Sequence, residues 1–153
     1  MNKKLYYEEL EPGNTIETPA RTITDADIQA FAAVSGDANP LHLDPAYAAG
    51  TPFGERIAHG ILGLSAATGL AYTAGLVGET VEAFTNLEWK FRAPIKIDDT
   101  IRARITVSGK RALPDYRGGF VTLDIQLFNQ HDEIVQKGQW TLLIRGRPAA
   151  DPA

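Results

Sequence analysis

A chain of 153 residues with 44% hydrophobic and 22% charged residues has material for one domain with a full core and is too short for two comfortable ones. Its formal net charge of -4 argues against a nucleic-acid surface, which needs clustered Lys and Arg. The absence of cysteine removes disulfides, Cys-ligated zinc, iron–sulfur clusters and cysteine nucleophiles together, and suits a reducing, cytoplasmic setting.

The first residues carry two lysines but turn acidic where the apolar core of a signal peptide should follow. Tyr6 to Gly13 reads as an N-terminal arm ending in the turn Glu11-Pro12-Gly13. Asn14 to Ile23 reads as a strand that Pro19 confines to an edge or breaks. Thr24 then caps a helix with Asp25 and Asp27 in its first turn, and Ile28, Phe31, Ala32 and Ser35 repeat at helical spacing up to Gly36, a natural stop. Ser35 to Ala58 is a long, mostly irregular connection with three prolines and three glycines, in which Asp44-Pro45 could open one helical turn through Ala49.

Gly60 to about Val77 is a helix, apolar or small nearly all round, and so expected to be buried on most sides. The wider segment Ile57 to Gly78 lacks Asp, Glu, Lys and Arg and is long enough to span a bilayer. Its five glycines, its His, Ser, Thr and Tyr residues and the lack of a flanking basic cluster favour a buried helix of a protein outside the membrane.

Beyond Gly78 the period becomes alternating. Val81 to Arg92, Thr100 to Ser108, Phe120 to Asn129 and Ile134 to Ile144 read as strands, with a turn at Gln130-His131-Asp132. Trp89 and Trp140 read as core or interface residues, and Arg102 and Arg104 as a solvated strand face. The tail from Arg145 is expected to fray. The order predicts an α+β fold: an antiparallel sheet of about five strands covered on one face by the one sufficiently apolar helix. Residues 1–153 form a single domain in this reading, with a core from about 7 to 145.

Chemistry concentrates between Ser35 and Gly60. Asp37 and His42 flank Asn39-Pro40, and the proline keeps them off one regular helix. A tight turn there aims both into one cavity, or Asp37 closes an Asx-type turn and His42 packs against Leu41 and Leu43. His59-Gly60 opens the apolar helix, either as a plain helix start or as an oxyanion site, where free N–H groups meet a ligand oxygen that no Cβ obstructs. A metal held by Asp37, His42, Asp44 and His59 is conceivable but lacks ligand spacing. No Gly-x-Ser-x-Gly elbow, P-loop or dinucleotide fingerprint occurs.

The runs SGDANPLHLDPAYA and FGERIAHGILGLSAATG resemble the MaoC-like hydratase/dehydratase domain of the hotdog-fold (R)-specific enoyl-CoA hydratases. The family pattern is intact in Asp37, Asn39, Pro40, His42, His59 and Gly60, and outside Ser35 to Gly69 the likeness rests on element order. The resemblance implies a hotdog domain, no cofactor and no metal, and an acyl-CoA thioester as substrate. It implies that Asp37 and His42 hold one water for syn addition to a trans-2-enoyl thioester, giving the (R)-3-hydroxyacyl thioester, while Gly60 N–H binds the thioester oxygen. Asn39 and His59 support the pair. A hydroxyl that is often serine in the family falls at Thr68, with Ser65 as neighbouring candidate. A homodimer or an assembly of dimers is implied as well. Rival readings on the same scaffold are an acyl-CoA thioesterase and a non-catalytic acyl-thioester-binding module.

Overall fold

A computed structural model describes residues 4–150. After a 3-10 turn at Tyr7–Glu9, four α-helices and six strands follow: β1 Thr15–Glu17, β2 Arg21–Thr22, α1 Asp25–Ser35, α2 Pro40–Leu43, α3 Pro45–Ala49, α4 Gly60–Thr73, β3 Val81–Phe91, β4 Thr100–Ala112, β5 Gly118–Phe128 and β6 Ile134–Arg145. All pairings are antiparallel in the order β1-β4-β5-β6-β3, with β2 continuing β1 along β4. The sheet therefore has the five expected positions, the first split in two. Pro19 has no N–H for the ladder, and at this break Thr18 takes over: its hydroxyl oxygen accepts Ala103 N–H at 2.9 Å, while its own N–H donates to Ala103 O.

Alternation along β4, β5 and β6 turns Ile101, Ala103, Ile105, Val107, Val121, Leu123, Ile125, Leu127, Trp140, Leu142 and Ile144 inward, all nearly or fully buried. Against that face lie Leu62, Ala66, Ala67, Leu70 and Ala71 of α4. Each large aliphatic side chain so removed from water contributes about 1.5–3 kcal/mol before chain entropy is counted. The helix seats close because Gly63 has no side chain: a Cβ there would lie 2.4 Å from Gln136 Nε2 and 2.7 Å from Ile95 Cδ1. A sheet wrapped around one central helix is the hotdog arrangement.

Five expectations need correction. The central helix ends at Thr73, four residues early, because Gly75 takes φ 83° and Leu76 N–H and Gly75 N–H return to Ala71 O and Tyr72 O, a glycine-closed C-terminus. It is also not covered on most sides, since Ile61, Ser65 and Tyr72 form an exposed stripe. The Ser35 to Ala58 connection holds the expected turn, as α3, and one more short helix, α2, each with an Asx cap and a proline in its first turn. Strand β4 runs on to Ala112, four residues past its expected end, and pairs with β5 to its tip. Finally, the chain past Arg145 does not fray at once. Gly146 N–H donates to Arg117 O, and Arg147 N–H donates to Glu8 at 3.0 Å. No helix among the described residues is long and apolar enough to cross a membrane.

Candidate active site

Helix α1 delivers the chain to the site. Thr24 Oγ1 accepts Asp27 N–H at its start, and Gly36, at φ 76°, closes its end in the left-handed conformation that glycine tolerates. Asp37 follows directly. Its N–H donates to Ser35 Oγ at 3.1 Å, and its Oδ1 accepts Asn39 N–H at 3.2 Å, so the Asx turn anticipated as the plain alternative does form. That turn engages one carboxylate oxygen and leaves Asp37 exposed. Asn39 Oδ1 in turn accepts Leu41 N–H at 2.9 Å and caps α2, with Pro40 at its first position, where no N–H is needed. Asn39 fixes the turn. His42 is carried on the short helix it starts.

His42 is 9% exposed, and its Nδ1 lies 2.8 Å from Ile57 O. A carbonyl can only accept, so Nδ1 carries the proton, and in the neutral ring Nε2 is left as an acceptor. His59 is 2% exposed and donates from Nε2 to Asp37 O at 2.9 Å, which ties the start of α4 to the Asp37 backbone. The two imidazoles stack with centroids 3.9 Å apart, and the Phe31 ring packs against His59, tilted, at 4.9 Å. A carboxylate oxygen of Asp37 and one ring nitrogen from each of His42 and His59 lie within 4.8 Å of one another. These are metal-ligand types, and the planes of the two stacked rings lie 30° apart.

Arg56 supports this loop from below: Nε donates to His42 O at 2.7 Å, and a terminal nitrogen donates to Asp25 Oδ1 at 2.5 Å. That hydrogen bond holds the Asp25 carboxyl below its ordinary value, so the bridge to α1 is fully charged at neutral pH.

Gly60 opens α4, and no described residue accepts its N–H. It borders a cleft of about 280 Å³ with His42, Phe53, Phe91, Arg92 and Ile95 among its walls, an apolar surround with few polar groups. A larger hollow of about 610 Å³ lies on the outer sheet face at Lys90, Asp124, Gln126 and Lys137 and shares none of these catalytic candidates. Thr68 donates its hydroxyl to Ser65 O at 2.6 Å, and neither residue lines the cleft. The structure thus brings together Asp37, Asn39, His42, His59 and Gly60, and sets Ser65 and Thr68 further along the helix. Arg56 and Gln136 are supports that the sequence did not single out.

The family described as MaoC like domain matches residues 8–124. The chain belongs to that family. It is 43% identical over 105 residues to the protein MaoC of Klebsiella aerogenes, covering 69% of this chain but 31% of that protein, so it spans about a third of that relative's length. It is 32% identical to the 3-hydroxybutyryl-CoA dehydratase of Methylorubrum extorquens, covering 97% of this chain and 89% of the relative. Among solved structures, the R-hydratase PhaJ1 of Pseudomonas aeruginosa superposes with a TM-score of 0.80 at 34% identity, covering 98% of this chain and 95% of that one.

Proposed function

We propose that this MaoC-like domain is a hydro-lyase that adds water reversibly to trans-2-enoyl-CoA, giving (R)-3-hydroxyacyl-CoA. The observation that carries the reading is the placing of an exposed carboxylate and an imidazole within 4.8 Å of each other where α4 begins. Two hydrogen bonds of roughly 2.8 Å to one water span such a gap. Carboxylate and Nε2 are both acceptors, so each accepts a hydrogen bond from that water and an oxygen lone pair is left to attack C3; one of the two takes a proton as the C3–O bond forms, and the other O–H stays in the product hydroxyl. One proton of the water is then delivered to C2 on the same face, and the C2–C3 double bond becomes single. Dehydration is the same path reversed. Charge that builds on the thioester oxygen meets Gly60 N–H at the helix N-terminus. Arg92, in the cleft wall, offers charge to the phosphates of the carrier.

The test is loss of enoyl absorbance when the protein meets crotonyl-CoA, run beside a free-thiol assay. Absorbance loss without thiol release is expected; thiol release identifies a thioesterase instead, and tight binding without turnover identifies a binding module.

The working unit in this reading is a homodimer. Strand β3 pairs on one side only, with β6, and its inward-facing Phe84, Leu87 and Phe91 are 43–53% exposed; Ile61 and Tyr72 of α4 are exposed as well. A second copy that extends the sheet covers this apolar stripe. Sedimentation is expected to give a dimer that Leu87→Glu dissociates; a monomeric parent protein would sink the idea.

A further inference from the structure

Among the described residues, Gln136 is the one buried amide side chain that hydrogen-bonds to the first turn of α4. It is 2% exposed on the inward face of β6, opposite Phe91. Both ends of its amide are engaged: Oε1 accepts Trp89 Nε1–H at 2.9 Å, and Nε2 donates to Gly60 O at 3.0 Å. The two partners fix the direction of the amide, since an indole N–H only donates and a carbonyl only accepts. Space for it comes from Gly63, where a Cβ would overlap Nε2 at 2.4 Å.

We propose that Gln136 is a positioning residue that clamps the Gly60 carbonyl and thereby sets the direction of the Gly60 N–H toward the thioester oxygen. The proposal rests on the hydration reading for its catalytic meaning. Its physical basis is independent. Glycine has the widest backbone freedom and no side chain by which packing could hold it. Without the amide, Gly60 keeps only its helical bonds at a helix end, where N–H groups have no intrahelical partner. An oxyanion donor is effective only when its direction is set before the charge develops. A chain of donors from Trp89 through Gln136 to Gly60 ties that direction to two sheet strands, β3 and β6.

The test compares Gln136→Met, Gln136→Glu and Trp89→Phe with the parent protein. Methionine keeps length and loses both bonds. Ionised glutamate keeps an acceptor for Trp89 but loses the donor to Gly60, and Trp89→Phe removes the outer bond alone. Two readouts are taken: kcat and KM for crotonyl-CoA, and amide hydrogen exchange across residues 60–66 without substrate. Expected is a fall in kcat of about 10–100-fold in both Gln136 variants with KM little changed, since a small misplacement near the chemistry has effects of that order. Exchange should quicken in the first turn of α4 and not in its last, with Trp89→Phe shifting both readouts less. Gln136→Glu should recover as the pH is lowered and its carboxyl gains a proton to donate.

Parent-like kcat together with parent-like exchange in either folded Gln136 variant overturns the clamp. A parent protein that hydrates no enoyl thioester overturns the hydration reading instead, and the exchange readout still decides whether Gln136 orders the turn.

Discussion

Asp37→Asn is expected to lower turnover of a trans-2-enoyl thioester by about 10²–10⁴-fold, the range for losing one acid–base group. The fold should survive, for reasons visible at each contact. The carboxamide oxygen can still accept Asn39 N–H as Oδ1 does now at 3.2 Å. The bond from His59 goes to the Asp37 backbone carbonyl and does not involve the side chain. Asp37 is also exposed, so no buried charge is lost. What changes is the chemistry of one atom: an amide nitrogen donates where a carboxylate oxygen accepted, and the water can no longer give a proton to it. Enoyl absorbance against time, with thermal unfolding of both proteins, checks the result. Turnover close to the parent value in Asp37→Asn would remove Asp37 from the mechanism.

Gly60→Ala should reduce kcat by about 10²–10³-fold, the effect of losing one oxyanion donor, without loss of stability. Alanine is the better helix former by about 1 kcal/mol, so stability and activity should part company. A Cβ at Gly60 would lie 2.8 Å from the Phe91 ring. The methyl group and that ring cannot both keep their places, so two causes of lost activity must be separated. The double variant Gly60→Ala/Phe91→Ala removes the ring. If the methyl group bars the thioester oxygen from the N–H, the double variant stays impaired. Recovery to the level of Phe91→Ala alone would place the effect on the displaced ring and release Gly60 from the role given to it.

Local physics made much of this legible in the sequence. The cap at Thr24, the stop at Gly36 and the turn built on Asp37, Asn39 and Pro40 depend on residues within four positions of one another, and each forms as read. Alternation located β4, β5 and β6 because one face of each is buried. Irregular alternation in Val81–Phe91 has a cause the sequence could not display: register shifts between Val81 and Ala83 and between Phe84 and Asn86 change which side chains face inward. Helix α4 was read too long because Leu76 remains fully buried after the helix has ended, so burial outlasted the helical period. The least legible contact is Gln136 with Gly60, 76 positions apart. It needs the β3–β6 register and the seating of α4 at once, and no local pattern carries either. Arg56 was hidden similarly, since its partners Asp25 and His42 come together only after the loop has folded.

The break at Pro19 bears on how far association can run. The sheet has two outer strands of unequal kind. One is β3, eleven residues long and open. The other is interrupted, three residues in β1 and two in β2, with no N–H at Pro19. A strand arriving there finds no continuous ladder. Copies that join through β3 therefore present two interrupted margins to the solution, and the union of two closes on itself where a sheet with two usable margins would continue into a fibre.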